Sequence, residues 1–181
     1  MNNCTHAALG LGACAAIITL ALAQDPGGHL TIMPEDVKWT KFPSLPPGAK
    51  IGPIEGSMAH AMPFTVRFKL PKDYAVPAHS HPVVERITVL SGTLHMGRGD
   101  KFDRSRTKPM PPGAISIVGQ GTNYFLWTAE EVIVQVHGVG PWDIAYADPL
   151  EDPRRKIVEF NSVGPWGMPH SARRDGGHQN P

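Results

Sequence analysis

Proline and glycine cut this chain into pieces too short for a long helix. Each contributes 19 of the 181 residues, and no amphipathic helical period is sustained between them. What remains is a series of short apolar runs, several with period two. The clearest is Phe64-Thr65-Val66-Arg67-Phe68-Lys69-Leu70, between Pro63 and Pro71. In an extended chain it puts Phe64, Val66, Phe68 and Leu70 on a core face and Thr65, Arg67 and Lys69 on the other. Pro71-Lys72-Asp73 then turns the chain. Further strands are predicted over Tyr74–His81, Glu85–Leu90, Ala114–Val118, Asn123–Trp127 and Val132–His137, with a last one within Asp143–Tyr146. Ser91-Gly92 reads as a turn whose hairpin partner is Thr93–Gly97. Met33–Trp39 reads as a short first strand or a turn leading into one. Phe42–Pro53, with four prolines, reads as a surface loop, and Gly97–Gly113 as a polar one. The expected fold is all-β, a single small barrel.

One of these strands carries a candidate metal site. His79 and His81 are two apart in extended chain, so both imidazoles project to one face. Pro82 ends regular pairing after the second. Glu85 opens the next apolar run, which closes at Gly92. Two nitrogens and one carboxylate suit Fe, Mn, Ni, Cu or Zn and leave coordination positions open.

The spacing His79-x-His81-x3-Glu85-x6-Gly92 resembles the first motif of the cupin superfamily. The resemblance covers about Pro63 to Trp142. It implies a small cupin-type β-barrel (a jelly roll) holding one divalent metal ion as cofactor, with a small-molecule ligand or substrate. A homodimer is an assembly it allows. The family's motif starts with a glycine six residues before the first histidine; here that position is Asp73, at a turn. A second family motif, G-x5-P-x-G-x2-H-x3-N, is matched in outline by Gly113 and Gly121. It departs at Gly119 for the proline, Tyr124 for the ligand histidine and Thr128 for the asparagine.

Three arrangements follow from the missing histidine. Tyr124 binds the ion or a water on it, which an unperturbed phenol with a pKa of about 10 does only with help. Alternatively His137 reaches the site from a neighbouring strand; by period two it shares a face with Gln135, so both are pocket candidates. In the third, the metal is lost and only a small-molecule pocket remains. The candidate metal set is therefore His79, His81, Glu85 and Tyr124. The families resembled include dioxygenases, isomerases, sugar-binding regulators and metal sensors. A small metalloenzyme such as an oxygenase, a non-catalytic ligand- or metal-sensing module, and a barrel with a degenerate site all fit.

The 41% hydrophobic content suffices for a core, and a formal net charge of +1 gives no reason to expect nucleic acid or an anionic membrane as partner. Met1 to Gln24 carries no charged side chain, and Ala7–Ala23 is almost wholly apolar or small. Ala21-Leu22-Ala23 fits a cleavage site. The expectation is a signal peptide over 1–23, a barrel domain with an N-terminal arm over 24–153, and a disordered tail over 154–181. Such a protein is periplasmic or secreted, with no membrane attachment after cleavage. Leu11-Gly12-Ala13-Cys14 loosely matches a lipobox, but the apolar run continues past Cys14. Both cysteines, Cys4 and Cys14, lie in this leader, so the mature domain has neither disulfide nor thiolate chemistry. A single H-x-H motif excludes a two-barrel architecture.

Overall fold

The computed structural model describes residues 28–155. The expected signal peptide and all of the expected tail beyond Arg155 lie outside them. The described chain is built from eleven strands: β1 (Thr40–Lys41), β2 (Lys50–Gly56), β3 (Pro63–Leu70), β4 (Ala75–Ser80), β5 (Glu85–Ser91), β6 (Leu94–Arg98), β7 (Lys108–Met110), β8 (Ile115–Val118), β9 (Tyr124–Thr128), β10 (Val132–Val139) and β11 (Ala145–Tyr146). They form two antiparallel sheets. One has six strands in the order β1-β2-β3-β10-β5-β8, the other five in the order β11-β4-β9-β6-β7. A single apolar core fills the space between them. Phe64, Val66, Phe68 and Leu70 of β3 meet Val134 and Val136 of β10 and, from the opposite sheet, Val76, Leu94 and Leu126. The inward positions of β3 are the four that the alternation predicts.

Several sequence expectations need correction. Thr93–Gly97 is not the hairpin partner of β5. Gly92, in the left-handed region at φ 70°, turns the chain out of one sheet and into the other, where β6 pairs with β9 and β7. The partners of β5 are β10 and β8. A Cβ at Gly92 would also stand 2.4 Å from the Glu131 carbonyl oxygen, so the crossing needs glycine twice over. The presumed loop Phe42–Pro53 ends at Ala49, because β2 begins at Lys50. Pro53 is accommodated in β2 at an irregularity in its pairing with β3, where a ladder donor is dispensable. The polar loop before Gly113 contains β7. Of the two readings of Met33–Trp39, the turn is the one found: Pro34–Asp36 form one turn of 3-10 helix ahead of β1.

Asp73, which stands at the family's glycine position, has φ 57° and is the one non-glycine among the described residues with positive φ. Aspartate is among the few side chains that tolerate this region, so the turn before β4 keeps its shape.

Candidate metal centre

The four proposed ligands come together from strand ends of both sheets. His79 is in β4, paired across with Tyr124 of β9 on one side and Tyr146 of β11 on the other. His81 follows one residue past the end of β4, and Glu85 is the first residue of β5 in the opposite sheet. All four are buried, at 2%, 4%, 1% and 5% of their accessible area for His79, His81, Glu85 and Tyr124. The two imidazole centroids lie 5.1 Å apart.

Each histidine has one ring nitrogen tied to the backbone outside the cluster. His79 Nδ1 donates to the Pro77 carbonyl (2.6 Å) and His81 Nδ1 to the Asp143 carbonyl (2.7 Å). A carbonyl only accepts, so Nδ1 carries the proton and Nε2 keeps its lone pair. Burial then holds both rings neutral, with pKa values lowered to about 4, and at His79 the neighbouring His81 adds to the effect.

His81 Nε2 lies 3.1 Å from the Tyr124 hydroxyl and 3.3 Å from Glu85 Oε1. The Tyr124 hydroxyl donates to Glu85 Oε1 at 2.5 Å. Three lone-pair atoms therefore converge, with one phenolic proton among them if Glu85 is ionised. The cluster is short of one positive charge. A proton on Glu85 supplies it, and desolvation does push that carboxyl's pKa up, against the opposing hydrogen bonds from Tyr124 and Trp142. A metal ion would supply it equally well. Burial, with Glu85 close by, also raises the Tyr124 pKa well above its ordinary value, so without an ion the phenol stays neutral and acts as a donor.

Trp142 completes the site. Its indole stacks on His81 with centroids 4.4 Å apart and an 18° interplanar angle, and its N–H donates to Glu85 Oε2 at 3.1 Å. Nothing in the motif spacing marks this residue. Its only sequence signal is an aromatic just before the last strand.

Gln135 and His137 do not line the pocket. They share a face, as expected, but it is the outer one; Val132, Val134 and Val136 are the buried set of β10. Gln135 accepts a bond from Arg67 Nε on that outer face at 3.2 Å. Period two fixes which residues go together, and the apolar valines decide which set goes in. His95 stacks on Trp127 with centroids 4.0 Å apart, and His60 bonds Ser57.

The site opens on a cavity of about 40 Å³ with otherwise apolar walls, among them Phe68, Leu126 and Val136. That is room for about three water molecules. Leu45, in a proline-rich strap over residues 42–49, forms part of the wall. The carbonyls on either side of Leu45 are held by tyrosines: Tyr146 O–H donates to Ser44 O (2.8 Å) and Tyr74 O–H to Pro46 O (2.5 Å).

Solved structures share this arrangement of strands. The polyketide cyclase RemF from Streptomyces resistomycificus superposes with a TM-score of 0.58 at 18% identity, over 72% of this chain and 94% of that one. A putative ethanolamine utilization protein, EutQ, from Salmonella typhimurium gives 0.52 at 16% identity, over 63% and 88%. An RmlC-like cupin from Shewanella frigidimarina gives 0.49 at 12% identity, over 63% and 94%. The chain has the cupin fold. No protein-family model matches the sequence, and no curated protein matches it.

In this barrel the donor set, rather than a preformed cage, is what fits an ion. Among the described residues no three His, Cys, Asp or Glu side chains are grouped to hold a metal. The Tyr124 oxygen, His81 Nε2 and Glu85 Oε1 form a triangle with sides of 2.5 to 3.3 Å, so the set accommodates an ion with that oxygen as a member or moved aside.

Proposed function

We propose that this chain binds one divalent transition-metal ion and a small ligand in the barrel cavity, through His79, His81 and Glu85 with the Tyr124 oxygen as the fourth donor. The observation that carries the proposal is the fixed tautomer of both histidines. Metal-binding histidines donate their other N–H to a carbonyl or carboxylate, and here both Nδ1 groups do so, leaving both Nε2 atoms bare. The surplus of acceptors at Glu85 points the same way. When bound, the ion would act on a ligand as a Lewis acid. The chain's own residues do the rest: Trp142 occupies Glu85 Oε2 and leaves Oε1 for the centre, and the apolar walls exclude bulk water. With about 40 Å³ available, the cavity suits water-sized ligands on the ion.

A small metalloenzyme such as an oxygenase and a sensing module share this binding step. Substrate turnover by the loaded protein separates them. A metal-free small-molecule pocket is supported by one observation, that the Tyr124 O–H already closes the bond to Glu85.

Titration of purified protein with Zn, Mn, Ni and Fe(II) by calorimetry tests the proposal. One ion per chain is expected, with loss of binding in His79→Ala, His81→Ala and Glu85→Ala, each still folded by circular dichroism. Any proton displaced on binding, from Glu85 or from the Tyr124 phenol, is read from buffers of different ionisation enthalpy. Tyr124→His, restoring the family's usual residue, should bind more tightly. If neither wild type nor Tyr124→His binds any of the four metals, the pocket works without an ion.

We also propose export to the periplasm or medium, on the uncharged apolar leader and its small-x-small end. Intact mass of the exported protein should place the mature start at Gln24; a retained Met1 sinks this.

A further inference from the structure

We infer that Arg154, outside the barrel, is a positioning residue for His81. The carbonyl that fixes the His81 tautomer belongs to Asp143, in a two-residue span that no strand ladder supports. On one side Trp142 N–H donates to Met58 O (2.7 Å); on the other β11 begins at Ala145. Arg154 clamps the span from outside. Its Nη1 donates to Asp143 Oδ1 at 3.0 Å and its Nη2 to the Ile144 carbonyl at 2.8 Å. The same guanidinium is held by the Asp152 carboxylate through Nε and Nη2. Asp143 Oδ1 also accepts the Ile144 N–H at 2.7 Å, and the Ile144 side chain is anchored in the core.

One guanidinium therefore grips the side chain of the first residue and the carbonyl of the second. Rotation of the intervening peptides would swing the Asp143 carbonyl away from His81 Nδ1. The ion pair itself is too exposed to add much stability, with Arg154 at 36% and Asp143 at 71% side-chain exposure. What it supplies is direction. His79 is a built-in control, because the Pro77 carbonyl that holds it lies within β4 and has no link to Arg154.

The consequence for metal affinity rests on the proposed metal centre; the effect on the tautomer does not. In metal-free protein, imidazole 15N shifts separate a protonated ring nitrogen from a bare one. Wild type should show His79 and His81 both protonated at Nδ1. In Arg154→Ala, His81 should become a mixture of tautomers with His79 unchanged, and the thermal midpoint should stay close to wild type. Arg154→Lys, which can still reach the Asp143 carboxylate, should recover part of the effect. Zinc affinity should fall about tenfold in Arg154→Ala, the low end of what losing such a partner costs. A wild-type His81 tautomer in folded Arg154→Ala overturns the inference, as does an equal change at both histidines. If the His81 tautomer shifts but wild type binds no zinc, the positioning role stands and the metal centre falls.

Discussion

His79 takes its backbone partner from its own strand, two residues back, whereas His81 takes its partner from a loop 62 residues ahead. The two rings face the same cavity and have the same lowered pKa, yet they are assembled differently. The His79 anchor exists as soon as β4 is extended. The His81 anchor exists only when β11 has docked on β4, Trp142 has stacked and the segment ending at Arg155 has been laid down. Half of the centre is thus local and half is a product of tertiary closure.

Acid should break the two halves together, and this is the largest effect expected. Both rings ionise near 6.5 in the unfolded chain and only near 4 in the fold. The unfolded state therefore binds more protons between those values, so stability should be full above 6.5 and fall as pH drops toward 4. The loss is on the order of 3 kcal/mol per ring. Glu85 has the opposite sign: its raised pKa costs stability as pH rises above its ordinary value of 4.5. Denaturant melts across this range should give a steeper slope for wild type than for His79→Gln/His81→Gln. Equal slopes would mean that the rings are not buried as neutral bases.

Trp142→Ala should separate the halves. It strips the His81 stack and the Glu85 Oε2 donor while leaving the His79 anchor intact. The expected loss is about 2–3 kcal/mol, below that of a fully buried tryptophan because the indole is only part-buried. Trp142→Phe keeps a stacking ring and loses one hydrogen bond to a buried carboxyl, about 1–2 kcal/mol. Equal losses for the two variants would assign the whole effect to the indole N–H.

Truncation should have the smallest effect and sharpen the comparison most. Removal of residues from Val158 onward should leave the melting midpoint nearly unchanged, since that stretch lacks periodic apolar positions. Truncation before Asp152 should also melt close to wild type yet disturb His81, seen in its 15N shifts. A large drop in midpoint from the first cut would mean that Phe160 or Trp166 packs on the barrel.

The sequence made the local half of this site legible and left the other half hidden. Alternation in β3, the H-x-H pair and Glu85 at a strand start are side-chain patterns, and each is found in place. The departure at Asp73 could also be read, because aspartate tolerates the turn it occupies. The Asp143 carbonyl had no such signature: every residue has one, and only the fold decides which carbonyl meets His81. Trp142 was missed for the same reason, since stacking partners far apart in sequence leave no spacing to read. The outward turn of Gln135 and His137 was recoverable from Val132, Val134 and Val136, whose apolar set competes for the same core. The crossing at Gly92 was not, because a tight turn between two strands looks alike whether they pair or part.

The strap over the cavity bears on time rather than on strength of binding. Passage by that face would require Leu45 to lift and the tyrosine hydroxyls to release Ser44 and Pro46, on entry and again on leaving. A barrier crossed in both directions slows arrival and departure by the same factor and leaves the dissociation constant untouched. The clasp of Tyr74 and Tyr146 would therefore bear on the residence time of a ligand taking that route, and leave its affinity to the residues that line the cavity.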